Sequence, residues 1–276
     1  MEIGKTNRLK VTRTDRSGFY LADDEANEVF LPNEYLSKKL EIDAELDVFI
    51  YHDKSNKLVA TTFMPKVQLE EFAYLQVKEV NKIGAFIDWG LEKDLLVPFA
   101  FQHEKMEANE FYIVYVLKDE RTNRLIGTTK IDHYFIDKDV ALEIGDEVDL
   151  LLMNKTDLGM KAIVNNRYSG LIFNSDLFKN VRTGDCLKGY VKQVREDGKI
   201  DLLLEPLGYR NSIDINTNMV LSALKNNDGF LNLNDNSDPE LIKQQVGLSK
   251  KAFKRSLGHL YKLNRIELTP TGVRFI

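Results

Sequence analysis

The sequence has few cysteines, few prolines and no long hydrophobic run. Its 276 residues include one cysteine, Cys186, and six prolines. A single cysteine cannot form an internal disulfide, and 16 glycines are too few for a fibrous or low-complexity protein. No apolar run approaches the ~20 residues of a membrane-spanning helix, and the first residues lack the apolar segment of a signal peptide. We therefore expect a reduced, cytoplasmic protein that does not contact a membrane.

Catalytic and metal-binding motifs are also missing. The four histidines have no partner at metal-ligand spacing, and one cysteine cannot build a zinc site. The sequence has neither a glycine-rich phosphate loop ending in Lys-Ser/Thr nor a Gly-x-Ser-x-Gly turn. Carboxylates from distant positions could still converge on magnesium, so a nuclease stays open as a minor alternative. We predict a protein that is not an enzyme and uses no cofactor or metal.

Charge is distributed unevenly along the chain. The formal net charge of −5 weakly disfavours a nucleic-acid partner when it is taken alone. Residues 241–276, however, hold eight basic residues and one acid, so this segment carries +7 and the rest of the chain −12. The asymmetry favours a polyanion-binding module in the last segment, although a solvated helical face is the simpler alternative.

Three segments share a repeated pattern. Each starts at a glycine, Gly18, Gly84 or Gly159, and has an apolar residue 13 positions later. A basic residue then precedes a further strand, at Lys57, Arg124 and Lys199 respectively. Residues typical of strands alternate with turn residues, which predicts about five short strands in each unit. This plan fits a small closed barrel of the oligonucleotide-binding (OB) type, in which the glycines let a strand bend.

The repeat resembles the S1 domain, an RNA-binding barrel, most clearly at Ile83-Gly84-Ala85-Phe86-Ile87-Asp88. In that family an aromatic residue two positions after the glycine, a histidine fourteen after it, and an acid and a base on a hairpin face nucleic acid. The resemblance assigns these positions to Tyr20, Pro32, Asp53 and Lys57, to Phe86, Pro98, Asp119 and Arg124, and to Lys161, Phe173, Arg195 and Lys199. No repeat keeps the full set, so some repeats could be spacers.

The second and third repeats retain the residue types that a nucleic acid needs. A base stacks on a flat ring for roughly 1–3 kcal/mol, and a phosphate needs a cation. We predict RNA contacts at Phe86, Arg124, Lys161, Arg167, Tyr168, Phe173, Arg195 and Lys199. Strand alternation leaves open that Phe86 or Phe173 points into a core instead. Trp89 is equally open between an exposed stacking ring and a plug between two domains.

The last segment changes to helical periodicity from residue 216. Asp238 and Pro239 are suited to begin one helix, Gly247 to end it, and Ser249 to cap the next. The expected apolar residues are Val220, Leu221 and Leu224, then Leu241, Ile242 and Val246, then Phe253, Leu257, Leu260 and Leu263. With a short strand at 230–233 and a hairpin around Pro270, this order predicts a winged helix whose third helix is in the recognition position.

Basic residues lie on and after that third helix. They are Lys250, Lys251, Lys254, Arg255, Lys262 and Arg265. The helix lacks Asn and Gln between residues 249 and 263, and lysine binds phosphate better than it reads bases. This composition favours contacts with RNA phosphates, while duplex DNA or a protein partner stays open.

The whole order resembles the conserved virulence factor B family, most specifically at Gly247-Leu248-Ser249-Lys250-Lys251-Ala252-Phe253-Lys254-Arg255 and Leu260-Tyr261-Lys262. We predict a mainly β chain with a C-terminal α+β module: three tandem S1/OB-fold barrels at 1–64, 65–137 and 138–208, and a winged helix at 212–276. The resemblance implies a cytoplasmic RNA-binding protein that regulates virulence gene expression. The repeat residues and the basic last segment add the expectation of single-stranded RNA as the ligand, and we expect a monomer. The alternative is a DNA-binding transcription regulator whose barrels dock proteins.

Overall fold

Three five-stranded sheets of one plan make up the first part of the chain. The computed structural model describes residues 1–36, 40–177, 180–206 and 209–276, with side chains left undescribed at 209–214. The chain divides into two units, Met1–Leu204 and Glu205–Ile276. The predicted boundary at residue 208 lies outside the described residues, and the finer boundaries between barrels stay predictions.

Each of the three repeated units forms five strands, as the sequence predicts. The first barrel has β1 Thr6–Thr14, β2 Gly18–Ala22, β3 Glu28–Pro32, β4 Glu45–His52 and β5 Leu58–Thr61. The second has β6 Phe72–Asn81, β7 Gly84–Ile87, β8 Leu95–Pro98, β9 Phe111–Lys118 and β10 Leu125–Thr128. The third has β11 Glu147–Lys155, β12 Gly159–Val164, β13 Tyr168–Phe173, β14 Cys186–Val194 and β15 Ile200–Leu203.

The first and third barrels are closed, in the orders β1-β2-β3-β5-β4 and β11-β12-β13-β15-β14. A short parallel pairing completes each of them, at Phe30 opposite Val59 and at Gly170 opposite Ile200. The second sheet has the equivalent order, but β8 and β10 form its two ends. Gly127 of β10 packs against side chains of β8, where an added Cβ would lie 2.8 Å from Val97 Cγ2. Side-chain packing therefore joins β8 to β10, whereas a closed barrel, as the sequence predicts, would join them by backbone hydrogen bonds.

The repeated glycines are required by a close approach between strands. Gly18, Gly84 and Gly159 lie opposite the residues fourteen positions later, Pro32, Pro98 and Phe173. A Cβ on these glycines would lie 2.2, 2.3 and 2.0 Å from the carbonyl oxygen of the residue one before each partner. No side chain fits at such a distance, so the repeated spacing reflects the construction of the barrel.

The first two barrels share one apolar core, and Trp89 lies inside it. Its side chain is 2% exposed, and its ring meets that of Phe49 edge-on, with centroids 5.7 Å apart and an interplanar angle of 83°. Nε1 of Trp89 donates to the Lys93 carbonyl oxygen at 2.6 Å. The structure thus supports Trp89 as a plug between barrels.

A smaller cluster joins the second and third barrels. It contains Phe72, Ile131, Met153 and Ile163, with the ring of Phe135 stacked on Phe72 at 5.1 Å. The backbone N–H of Phe72 also donates to a side-chain oxygen of the third barrel, Asn166 Oδ1, at 2.7 Å. Apolar contacts therefore connect the three barrels in sequence.

The second unit has the winged-helix plan. Its elements are α1 Tyr209–Asn226, β16 Phe230–Leu231, α2 Pro239–Val246, α3 Lys250–Lys262, β17 Ile266–Thr269 and β18 Gly272–Phe275, with sheet order β16-β18-β17. The predicted helix ends are confirmed: Asp238 accepts from the Glu240 N–H at 2.8 Å, Ser249 from the Ala252 N–H at 3.3 Å, and Gly247 is left-handed at φ 76°.

Several predictions for this unit were wrong in detail. Helix α1 begins at Tyr209, earlier than expected, and the strand at 230 has two residues. Leu241 is 47% exposed because Ile242 and Val246, one turn apart, form the buried face of the short α2. Leu263 is 56% exposed because α3 ends before it, so helical spacing no longer directs its side chain inward.

No helix in the described parts of the chain is both long and apolar enough to cross a membrane.

Candidate nucleic-acid interface

The third barrel brings two cations close to a half-buried aromatic ring. Along β13, buried and less buried residues alternate, and Phe173 is on the outward side. Lys192 Nζ lies 5.8 Å and Arg195 Cζ 5.6 Å from the centroid of the Phe173 ring. Both distances are within the range of a cation–π contact. A flat ring flanked by positive charge can hold a base and its neighbouring phosphate.

Two further cations continue this surface. Lys161, Arg195 and Lys199 line one cavity of about 790 Å³, which Leu158 and Leu171 also border. We call Lys161, Phe173, Lys192, Arg195 and Lys199 together the third-barrel surface. Acids hold three of its cations: Asp176 lies 2.8 Å from Lys192, Asp197 lies 3.1 Å from Lys199, and Asp201 lies 2.6 Å from Arg195. The Lys199–Asp197 pair is exposed and worth little in water, whereas Asp176 and Asp201 are largely buried and hold Lys192 and Arg195 more firmly.

Two of the predicted contacts in this barrel lie away from that surface. Tyr168 is 5% exposed and belongs to the barrel core, so its ring offers no face to a base and the prediction for it was wrong. It is five positions before Phe173 on one strand, and an odd separation puts the two on opposite faces. Arg167 is exposed beyond the other end of β13, with Cζ 5.6 Å from the Tyr168 ring centroid.

In the second barrel, Phe86 and Arg124 line one cavity. Phe86 is half-buried and lies outside the apolar core, and Arg124 is exposed. The first barrel contributes His52 to the same wall. Lys93, also in the lining, donates from Nζ to the carbonyl oxygens of His52 and Asp53 at 2.8 Å each. Burial and the charge of Arg124 lower the pKa of Lys93, while burial and then Lys93 and Arg124 lower the pKa of His52.

The equivalent ring of the first barrel is covered. The Arg13 guanidinium lies over Tyr20, with Cζ 3.3 Å from the ring centroid, and Phe30 packs against it with 5.1 Å between centroids. Glu28 holds Arg13 in place at 3.0 Å. A base would have to displace this guanidinium, so the first barrel is the least suited of the three to stacking.

Helix α3 presents a basic side to solvent. Phe253, Ser256, Leu257 and Leu260 are its buried residues. Lys251, Lys254, Arg255 and Lys262 are exposed, as is Arg265 after the helix. Lys250 is half-buried and donates to the Asn236 carbonyl oxygen at 3.2 Å, and Lys254 lies 3.2 Å from Asp235. The helix therefore presents several exposed lysine ammonium groups, which suit phosphates.

Sequence reasoning missed four residues of these surfaces, one each from the first and second barrels and two from the third: His52, Lys93, Lys192 and Asp201. Only Asp201 could have been singled out from its sequence neighbours, because it is an acid inside the otherwise apolar strand Ile200–Leu203. The other three are brought to these surfaces by contacts between segments that are distant in sequence.

Among the described residues, no cluster of three or more His, Cys, Asp or Glu side chains could hold a metal ion.

Comparison with known proteins agrees with this architecture. A family profile described as "CvfB-like winged helix domain" matches residues 218–275, and one described as "S1 domain" matches residues 3–63. "Conserved virulence factor B" of Staphylococcus aureus (strain USA300) is 25% identical over 279 residues, covering 96% of this chain and 91% of that protein. The two profiles and the relatives of nearly full length support assignment to the conserved virulence factor B family.

Other relatives extend over nearly the same length. The family member from Staphylococcus epidermidis (strain ATCC 12228) is 24% identical, covering 96% of this chain and 92% of its own. "Uncharacterized protein YitL" of Bacillus subtilis is 28% identical, with coverages of 96% and 91%. A Streptococcus pneumoniae crystal structure titled as a multidomain protein with nucleic acid binding domains is 23% identical, covers 99% of this chain and 98% of that chain, and superposes with a TM-score of 0.42. The S1 and winged-helix families indicate nucleic acid binding.

Proposed function

We propose that the protein is a non-catalytic, monomeric, cytoplasmic RNA-binding protein that takes single-stranded RNA on its second and third barrels and on α3. Bases stack on Phe173 and Phe86, and phosphates meet the cations around them. By analogy with relatives named for virulence, its role is post-transcriptional control of gene expression, including virulence-associated genes.

The arrangement at Phe173 carries this proposal. Two cations lie near its ring: Lys192 of β14 at 5.8 Å and Arg195, just after β14, at 5.6 Å. Bases in a duplex are already paired and stacked, so a protein ring stacks far more readily on unpaired bases. The surface therefore favours a single strand, and the S1 resemblance favours RNA.

Helix α3 adds the second component. Its exposed lysines supply charge without the planar amides that read adenine in a major groove. Lysine neutralises phosphates as a point charge, so we expect α3 to raise affinity for any polyanionic strand and to contribute little sequence preference.

The test is the affinity of the full chain for three labelled probes at two salt concentrations, measured by fluorescence anisotropy. The probes are a single-stranded RNA, the matching single-stranded DNA and a duplex DNA. The proposal predicts the tightest binding to the RNA, weakened by added salt. Tighter binding to the duplex would favour a DNA-binding regulator with protein-docking barrels, and no binding at low salt would reject both.

A further inference from the structure

A cavity of about 340 Å³ lies between the first barrel and the loop that joins β7 to β8 in the second barrel. Its buried part is formed by Tyr35, Tyr51 and Leu91, which are 9%, 2% and 6% exposed. Glu34 and Phe63 border it on the exposed side, and Phe63 is 47% exposed. The cavity is thus apolar inside and open to solvent at its rim, and its volume is near the lower end of the ~300–1,000 Å³ usual for ligand sites.

Hydrogen bonds hold the segment that carries Phe63 against the segment that carries Glu34. The N–H and the hydroxyl of Thr62 both donate to the Tyr35 carbonyl oxygen, at 3.1 and 2.8 Å. The Phe63 N–H donates to Thr61 Oγ1 at 3.1 Å. Because Glu34 precedes Tyr35 and Phe63 follows Thr62, these bonds bring a carboxylate and an aromatic ring to the rim of one cavity.

The cavity is negatively charged, and its charge at Glu34 is not compensated. The lining contains two carboxylates, those of Glu34 and Glu92, and no lysine, arginine or histidine. Glu92 is compensated, because it lies 2.8 Å from Lys54 Nζ and accepts from the Tyr35 hydroxyl at 2.6 Å. The exposed Glu34 makes no ion pair within the described parts of the chain. Such a site repels phosphates and attracts a cation.

Elsewhere in the first barrel, a ring and a carboxylate together hold an arginine. Cζ of Arg13 lies 3.3 Å from the centroid of the Tyr20 ring, and Nη2 of Arg13 lies 3.0 Å from Glu28. Phe63 and Glu34 offer the same two groups, and no arginine among the described residues lines their cavity. A planar guanidinium suits both groups, because it stacks on a ring and pairs with a carboxylate.

The apolar interior adds a preference for a long side chain. The methylene groups of an arginine can pack against Leu91 while the guanidinium stays at the rim beside Glu34. An occupant of this shape enters the cavity with one end and leaves the rest outside. A side chain that projects from another protein has this shape, whereas an RNA strand would bring phosphates to an unpaired carboxylate.

We propose that this cavity is a docking site for an arginine side chain from a basic segment of a partner protein. The guanidinium contacts Phe63 and Glu34, and the methylene groups pack against Leu91. The site uses none of the residues that we assign to RNA on the second and third barrels. It gives the first barrel, whose own stacking ring is covered by Arg13, a role in protein contact.

The test is an NMR titration of the full-length protein, labelled at its backbone amides and leucine methyl groups. The probe is a short glycine-serine peptide with spaced arginines. In one altered peptide citrulline replaces arginine, which keeps the shape and removes the charge, and in another lysine replaces it. A third carries 2-amino-3-guanidinopropionic acid, which keeps the guanidinium and shortens the methylene stem. Agmatine serves as a free cation with the same guanidinium.

We expect saturable shifts of the Leu91 methyl signals and of the Glu34 and Phe63 amide signals with the arginine peptide. The lysine peptide and the shortened one should bind more weakly, because the first loses the planar contact and the second the apolar contact. The citrulline peptide should leave these signals in place, since it brings no charge to Glu34.

Substitutions at the rim should weaken binding of the arginine peptide, by about tenfold in Glu34→Gln and about threefold in Phe63→Leu. Glu41→Gln changes an exposed acid of the first barrel outside the lining, and Phe99→Leu changes a ring that is 43% exposed. Both controls should change the affinity much less. The two rim positions are exposed, so their substitution should leave the fold intact.

Three results would overturn the docking site. Equal weakening by Glu34→Gln and Glu41→Gln would show general attraction to an acidic surface, and equal binding of the arginine and citrulline peptides would exclude the carboxylate. Agmatine that binds more tightly than the peptide would replace the protein partner with a free cation.

RNA anisotropy on the same variants separates this site from the proposed function. Glu34→Gln and Phe63→Leu should leave the affinity for RNA unchanged. Leu91 signals that no peptide moves, in a protein that binds RNA, would overturn the docking site alone. Peptide docking without RNA binding would overturn the RNA-binding function and leave the docking site.

Discussion

Nε and Nη2 of Arg195 both donate to one oxygen, Asp201 Oδ1, at 2.8 and 2.6 Å. Asp201 is 9% exposed, so this contact fixes the guanidinium from the barrel side and leaves Nη1 as the nitrogen that does not contact Asp201. The fixed guanidinium lies beside the Phe173 ring. The relationship explains how a long, flexible side chain can be positioned in advance for a phosphate next to a stacked base.

Arg195→Lys should weaken RNA binding by about fivefold, because lysine keeps the charge but loses the planar contact with Phe173 and one of the two hydrogen bonds. The dependence of affinity on salt should stay the same, since the charge is unchanged. Anisotropy titrations at several salt concentrations measure both quantities. Arg182→Lys, at another exposed arginine of the third barrel, is the control. Equal effects of the two substitutions would contradict the role of Arg195.

Trp89→Ala should reduce the free energy of unfolding by about 3–5 kcal/mol, because it empties the core shared by the first two barrels. Phe99→Ala, at a ring that is 43% exposed, should cost far less. Urea unfolding followed by circular dichroism measures both. In the unsubstituted protein, acrylamide should quench the fluorescence of Trp89 poorly, and efficient quenching would show that the ring is accessible.

Glycine-to-alanine substitutions should have opposite effects at two positions. Gly159→Ala places a Cβ 2.0 Å from the Ile172 carbonyl oxygen, and should cost about 3 kcal/mol or more. Gly258→Ala lies inside α3 with nothing within 4 Å, and should stabilise the protein by about 0.5–1 kcal/mol through helix propensity. Thermal unfolding compares the two, and similar destabilisation by both would contradict the described environments.

Lys251→Gln on α3 should lower the salt dependence of RNA binding. Each lost phosphate contact reduces the slope of log affinity against log salt by about 0.7 for a single strand. The same substitution at Lys243 on α2, which is exposed but outside the basic side of α3, provides the control. An unchanged slope for Lys251→Gln would remove this residue from the phosphate contacts.

The pKa of His52 should lie below its ordinary value of 6.5, because of burial and the nearby Lys93 and Arg124. The unfolded chain then binds more protons than the folded one below pH 6.5, so this group lowers stability as the pH falls through that value. NMR titration of the imidazole measures the folded pKa. In Arg124→Gln the pKa should rise, and a pKa that stays the same would exclude Arg124 as a cause.

The barrel fold could be predicted from the sequence because it depends on local residue preferences and on one steric requirement that recurs in each unit. The glycine spacing is imposed by one close strand pairing, as at Gly84 and Val97, and it recurs with each unit. The helix starts at Asp238 and Ser249 were likewise predictable, because a cap needs a particular side chain at a single position.

The interface residues were less predictable because they depend on contacts between distant segments. Nothing near Lys93 in sequence indicates that its ammonium binds two carbonyl oxygens of the first barrel, about 40 residues earlier. Lys192 becomes a neighbour of Phe173 because β13 and β14 lie on either side of β15 in the third barrel. The error at Tyr168, in contrast, was avoidable, because strand alternation already separates it from Phe173.

The most direct test of the central claim maps where RNA touches the protein. The full chain is cross-linked to a single-stranded RNA containing 4-thiouridine, and the modified peptides are identified by mass spectrometry. The account predicts cross-links at Phe173 and on the strand carrying Lys192, and their loss in Phe173→Leu but not in Phe111→Leu, a change at another exposed ring. Cross-links confined to the winged helix, with none on the third-barrel surface, would contradict it.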